Sequence, residues 1–198
     1  MSVRYYDEAI YNKIKSWVLD ERMKILKPDE SSRLFQTISD MTNDKPISLP
    51  LISISRETSL RLNHSNKRPL TFDGLMVQAT EEKSHQINAI PMTINYQIDI
   101  YTKKFEEGDE YLRNFVFNIT NHPPLIIEIP YNNLKYTHRC NMRLSPEIKD
   151  NSDIPNRLFS GQFTRWTIYV TIDDAYLFSA PIETNVKIDD DVDVEVSF

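Results

Sequence analysis

The side chains most able to do chemistry in this sequence are a pair of adjacent aspartates between two strand-like runs, one cysteine and four histidines. Asp173 and Asp174 form the pair, and paired carboxylates serve acid–base catalysis or bind calcium. Because they separate two strand-like runs, we interpret them instead as a solvated hairpin turn. Cys140 and His138 lie on the apolar side of an alternating pattern, which predicts a buried thiol and a satisfied core histidine.

Other catalytic and ligand-binding patterns are missing from the sequence. A zinc site needs about four convergent ligands, and the histidines (His64, His85, His122 and His138) show no ligand spacing. Glycine occurs only three times, so the Gly-rich loops that bind phosphates cannot be built. There is no G-x-S-x-G nucleophile elbow and no H-E-x-x-H motif. The sequence predicts that the protein is not an enzyme and has no metal site and no cofactor. The alternative from another class is a cytoplasmic enzyme with a site near residues 56–85.

The composition fits a single domain over residues 1–198. The hydrophobic fraction of 40% is enough for a buried core, and the net charge of -6 argues against binding nucleic acid over a broad surface. No run approaches the ~20 apolar residues of a membrane span, and the N-terminus lacks the apolar segment of a signal peptide. We expect a protein without membrane contact that stays in a cytoplasm unless it leaves as part of a particle.

The clearest structural signal is a change of period after residue 101. Strict alternation from Ile90 to Tyr101 predicts a long strand with one buried face and one wet face. Acidic residues then open a segment in which Leu112, Phe115 and Ile119 recur at helical spacing. The chain therefore runs from a long strand through a turn into an amphipathic helix, and this unit would build the core of the protein.

The other elements complete a predicted α+β fold, with a mixed, mainly antiparallel sheet flanked by two or three helices. A first helix is predicted over Tyr6–Met23, with Asp7 and Glu8 in its first turn and Pro28 as a stop beyond it. Pro46 and Pro50 confine the start of the next strand to a sheet edge or a bend. The remaining elements are a weaker helical pattern at 34–41, with Ser31 or Ser32 as a possible cap, and strands at 51–54, 125–129, 134–144 and 163–172.

Two segments extend from this body and are the candidate interfaces. Residues 56–88 form a polar arm, predicted as a β-hairpin-like insertion that either touches a neighbouring subunit or is a solvated flap. Residues 186–198 form an extended strand with one apolar edge and one acidic edge, which pairs within its own subunit or adds to a neighbour's sheet. The candidate interface residues are Arg56, Arg61, Lys67, Arg68, Val192, Val194, Val196 and Phe198.

In element order and short patterns, most of the chain resembles the tail terminator, or tail sheath stabiliser and completion protein, family of contractile-tailed bacteriophages. The segments that carry the resemblance are Tyr5–Ala9 leading into Lys13–Trp17, then Lys45–Arg56, Ile94–Thr102 with the acidic start of the following helix and Pro124, Asp150–Pro155 and Ile172–Phe178.

The resemblance implies a small fold of sheet and helices that forms a homohexameric ring. Such a ring would cap the tail tube and the last sheath ring, join the tail to the neck, and let DNA pass through its lumen without specific binding. It implies assembly in the host cytoplasm and a final place in the virion, with tube, sheath and neck proteins as partners. A head–tail connector ring is the alternative within the same particle.

Overall fold

The computed structural model describes residues 3–31, 49–62, 77–80, 83–85, 89–131, 134–152 and 164–178 of the 198-residue chain. These residues form the predicted α+β fold, in which helices flank a mixed, mostly antiparallel sheet. The elements are α1 (Val3–Trp17), β1 (Lys24–Leu26), β2 (Leu51–Arg56), β3 (Arg61–Leu62), β4 (Val77–Thr80), β5 (Lys83–His85), β6 (Ala89–Thr102), α2 (Phe105–Asn121), β7 (Pro124–Tyr131), β8 (Leu134–Asp150) and β9 (Thr164–Phe178).

The main sheet has the strand order β1-β2-β6-β9-β8-β7. β1 and β2 run parallel, the other neighbours run antiparallel, and β3 pairs with β6 beyond the end of β2. β2 lies between two strands and follows a bend at residues 49–50, so of the two predicted alternatives, a sheet edge or a bend, the structure shows the bend. β8 changes partner along its length, pairing first with β7 and then with β9. β4 and β5 pair separately within the predicted arm.

The strand β6 and the helix α2 form the centre of the core, as their periodicity predicts. Both pack with α1 in one apolar cluster, and full burial of such side chains is worth ~1.5–3 kcal/mol each. Glu106 and Glu107 lie in the first turn of α2, where the helix dipole favours negative charge. The buried residues that these three elements contribute to the cluster are Met92, Ile94, Tyr96, Ile98 and Ile100 on β6, Leu112, Phe115 and Ile119 on α2, and Tyr6, Ile10 and Ile14 on α1.

The helix α1 begins and ends earlier than the predicted Tyr6–Met23. Because it starts at Val3, Asp7 and Glu8 do not lie in its first turn. It ends at Trp17, where a linker of residues 18–23 leads to β1. Pro28 is therefore not its stop; it opens a helical turn at residues 28–31, a position that proline tolerates. Ser31 belongs to that turn and its hydroxyl donates to the Ile54 carbonyl at 2.6 Å. The predicted helical pattern at 34–41 lies outside the described residues.

Asp173 and Asp174 lie inside a strand, so the predicted hairpin turn is wrong. β9 continues through them to Phe178, and its register with β6 shifts at this point. The two acids oppose the single residue Thr93 in a β-bulge, which bends a strand without ending it. Asp173 forms an ion pair with Arg143 of β8 at 2.8 Å.

The second face of β6, predicted to be wet, is covered towards the end of the strand. Asp99 and Tyr101 are buried there, whereas the earlier residues of this face are half-buried. Tyr101 packs with Leu26 and Leu51 in a small second apolar cluster. The prediction of one wet face is therefore wrong at this end, because alternation shows that two faces differ but does not show that the polar face meets water.

Candidate functional site

Two of the predicted interface residues lie in the described part of the chain, and the structure places them differently. Arg56, at the end of β2, donates to the Asp7 carboxylate of α1. The buried Tyr96 donates its hydroxyl to the same carboxylate at 2.8 Å. Burial raises the pKa of Asp7, while the Tyr96 hydrogen bond and the Arg56 charge oppose that rise. Arg56 thus ties the start of the arm to α1.

Arg61 is presented to solvent on β3. It lies between Leu60 and Leu62, whose exposed fractions are 41% and 43%. We call these three residues the β3 strip. The pairing of β3 with β6 holds the strip in place, and Arg61 forms no ion pair with another described residue. The other predicted interface residues, Lys67, Arg68, Val192, Val194, Val196 and Phe198, lie outside the described residues.

An open groove of about 660 Å³ lies between α2 and the linker that joins α1 to β1. Its most exposed apolar side chains are Leu19 on the linker, at 92%, and Phe117 on α2, at 62%. We call it the Leu19–Phe117 groove. Its lining residues are Val18, Leu19, Asp20, Arg22, Glu107, Glu110, Tyr111, Arg113, Asn114 and Phe117.

Polar contacts fix the linker against α2, so the groove is formed before any partner arrives. The Tyr111 hydroxyl donates to the Asp20 carboxylate at 2.6 Å. Arg22 pairs with Asp20 at 2.7 Å and reaches Glu107 at 3.4 Å. The Arg22 and Tyr111 hydrogen bonds hold the pKa of Asp20 well below its usual range. Because folding already orders the linker, a docking partner would not have to supply the free energy of ordering it.

A second polar cluster lies on the covered face of β6 and has no exposure to solvent at its centre. The Asp99 carboxylate accepts two hydrogen bonds from Arg165, both at 3.2 Å. It also accepts from Thr167 at 2.6 Å and from Gln97 at 2.8 Å. Because Asp99 has 0% exposure and every contact is internal, this carboxylate holds the sheet together and does not present a reactive group.

His138 and Cys140 occupy the positions that their alternation predicts. Cys140 is buried, and burial raises the pKa of its thiol to about 12. His138 Nε2 lies 2.9 Å from the Asp174 carbonyl oxygen, and burial lowers the pKa of its ring. The Tyr6 hydroxyl accepts the Tyr176 backbone N–H at 2.8 Å. His138 and Tyr6 therefore contact the backbone of the last part of β9, which lies beyond the stretch paired with β8. The predicted core histidine is confirmed.

Leu19, Phe117 and Asp99 were not among the residues predicted to matter. Phe117 carries the signal that could have revealed it, because it is a large apolar residue off the stripe formed by Phe115 and Ile119. Leu19 follows the end of α1, and its exposure depends on where that helix stops. The burial of Asp99 depends on neighbouring strands, which the local pattern does not contain.

No model of a known protein family matches the sequence, and a search of curated proteins found no similar one. Within the described ranges, no group of three or more His, Cys, Asp or Glu residues is arranged to hold a metal ion. None of the helices described is both long and apolar enough to cross a membrane.

Proposed function

We propose that this chain is a structural subunit of a bacteriophage tail, which caps the tail tube and sheath as a ring and joins the tail to the neck. It works by assembly rather than by catalysis. In the virion, DNA passes through the ring without specific binding. The proposal rests on the resemblance in element order to the tail terminator family and on the surfaces of the folded body.

The observation that supports an assembly role is the presence of exposed apolar side chains on two separate, rigidly held surfaces. Backbone pairing with β6 holds the β3 strip, and the contacts of Asp20 and Arg22 with α2 hold the linker side of the Leu19–Phe117 groove. Exposed apolar patches rimmed by charge are typical of protein interfaces. The exposed apolar side chains of the two surfaces lie outside the apolar cluster that holds α1, β6 and α2 together; they are Leu19, Leu60, Leu62 and Phe117.

The first experiment is imaging of the purified full-length chain alone and with isolated tail tubes. Six-fold rings seated on tube ends are the expected result. Twelve-fold rings favour the head–tail connector, and a chain that neither forms rings nor binds tubes overturns the proposal. A monomer that turns over a phosphodiester would show an enzyme instead.

The second experiment tests the segment 186–198 as the attachment strand. A chain truncated after Thr184 should keep the thermal midpoint of the full chain and lose attachment to tube and sheath. In the full-length chain, Val194→Asp with Val196→Asp should also abolish attachment, because both change the apolar edge. The control, Asp193→Asn with Glu195→Gln, changes only the acidic edge. Loss of folding on truncation would assign the strand to the subunit's own core.

A further inference from the structure

The apolar face of the sheet continues, uncovered, beyond the end of the core. Ile90 of β6 and Leu177 of β9 lie opposite each other in the ladder, and their exposed fractions are 50% and 37%. Two residues further along the same face, the pair Met92 and Ala175 is fully buried in the apolar cluster that includes α1. The exposed pair therefore extends the face that packs in the core.

Leu62 of β3 completes this exposed surface. It pairs with Met92, which places it on the same face of the sheet, and it is 43% exposed. Its diagonal neighbour across the ladder is Ile90, at a distance of about 7–8 Å for such positions. Arg61 precedes it and points to the other face. We call Leu62, Ile90 and Leu177 the sheet-end patch.

The sequence that follows the patch carries a matching apolar row. β9 ends at Phe178, one residue after Leu177, and residues 179–198 follow. Val192, Val194 and Val196 alternate there with acidic residues. In an extended conformation, alternation gives this segment one apolar edge and one acidic edge. The apolar edge can cover the patch while the acidic edge stays in water.

The connection between patch and segment favours the chain's own segment over that of a second copy. Residues 179–185 can span up to ~25 Å when extended, and the patch crosses two strand spacings, or ~10 Å. A short flexible connection gives an effective concentration in the millimolar range. At micromolar protein, the chain's own segment therefore has an advantage of about a thousandfold.

We propose that the apolar edge of residues 186–198 docks on the sheet-end patch of its own chain and stores the attachment strand there before assembly. The contact is autoinhibitory, because the docked edge is not available to a neighbour. A partner's sheet edge can displace it, since an edge offers backbone hydrogen bonds that the face of a sheet does not. The release step rests on the proposed function, whereas the docking itself does not.

The first test is chemical crosslinking of the full-length chain that carries Leu177→Cys with Val194→Cys. A bismaleimide that bridges the ~10 Å between packed layers should join the two cysteines within one chain. Cys140 is buried, and burial raises the pKa of its thiol to about 12, so it does not react. The control pairs Val194→Cys with Ile126→Cys, because Ile126 is 62% exposed on β7 and outside the patch. Crosslinking to Leu177→Cys should be about tenfold faster than in the control, at a rate that does not depend on protein concentration.

Changes within the segment test which edge docks. Val192→Asp with Val196→Asp, added to the crosslinking variant, should lower its rate to that of the control. Asp193→Asn with Glu195→Gln should leave the rate unchanged, because these side chains lie on the acidic edge. Since all four positions lie outside the buried cluster, the comparison does not depend on altering the core.

The outcomes separate this inference from the proposed function. A rate equal to that of the control overturns the docking contact. Crosslinked dimers in a mixture of Leu177→Cys chains and Val194→Cys chains, without crosslinks inside the double variant, also overturn it, because they assign the segment to a second copy. Rings that form on tubes in either case leave the terminator proposal standing. Chains locked by the crosslinker should lose attachment to tubes; if they attach, the release step is wrong.

Discussion

Replacing Asp99 by asparagine should destabilise the protein strongly although its geometry is nearly preserved. The variant removes the charge that neutralises Arg165, whose side chain is only 16% exposed. Breaking a buried ion pair on one side costs about 3–5 kcal/mol, and the residual exposure of Arg165 places the expected loss at the lower end, about 3 kcal/mol. For a domain of this size, that corresponds to a fall of about 6–12 °C in the melting temperature.

The matched control is Asp173→Asn, which breaks the Arg143–Asp173 pair on the same sheet. That pair is shorter, at 2.8 Å against 3.2 Å, but its side chains are 70% and 46% exposed. Surface pairs are worth about 0–1 kcal/mol, so distance and burial predict opposite orders. Urea denaturation gives the free energy of unfolding of each variant. If Asp99→Asn costs no more than Asp173→Asn, the reasoning from burial is refuted.

Two further predictions concern the buried ring of His138 and the close contact of Gly108 in α2 with Thr102 and Trp166. Burial lowers the pKa of His138 below 6.5, so the free energy of unfolding should fall as the pH drops from 6.5 towards the lower folded pKa. His138→Gln should lose this part of the pH dependence, as urea titrations between pH 5 and 7.5 would show, and an unchanged slope would contradict it. Gly108→Ala should destabilise by about 1 kcal/mol despite better helix propensity. Its new Cβ would lie 2.9 Å from Thr102 Oγ1 and 3.2 Å from Trp166 Cδ1, and an unchanged or higher melting temperature would contradict the clash.

The parts of the fold that the sequence predicts are those in which neighbours along the chain decide the structure. β6 and α2 were found where their periods place them, because each period alone identifies one buried face. The end of α1 was predicted too late in the sequence. Trp17 is followed by a linker whose Asp20 bonds to Tyr111 of α2, and α2 comes much later in the chain. Asp173 and Asp174 continue a strand because β6 pairs with the residues on either side of them.

The candidate site was less predictable than the fold for the same physical reason. Arg61 was predicted as an interface residue; the structure shows that it is exposed on β3, and its role in an interface stays a prediction. Arg56 looked equivalent, but its side chain pairs with the Asp7 carboxylate of α1. The Leu19–Phe117 groove joins a linker to a helix that comes much later in the sequence. No pattern of neighbouring residues describes such a surface. The one local sign is Phe117, a large apolar residue that lies outside the buried stripe of α2 and lines the groove.

The hydrogen bond between Tyr6 and the backbone of Tyr176 spans 170 positions of the chain. During synthesis, the residue that α1 must meet leaves the ribosome long after α1 does, by roughly 10–35 s at 5–20 residues per second. Over that interval α1 lacks the hydrogen bond that joins Tyr6 to β9. The link between the first described helix and the last described strand therefore forms only after the strands between them have been made.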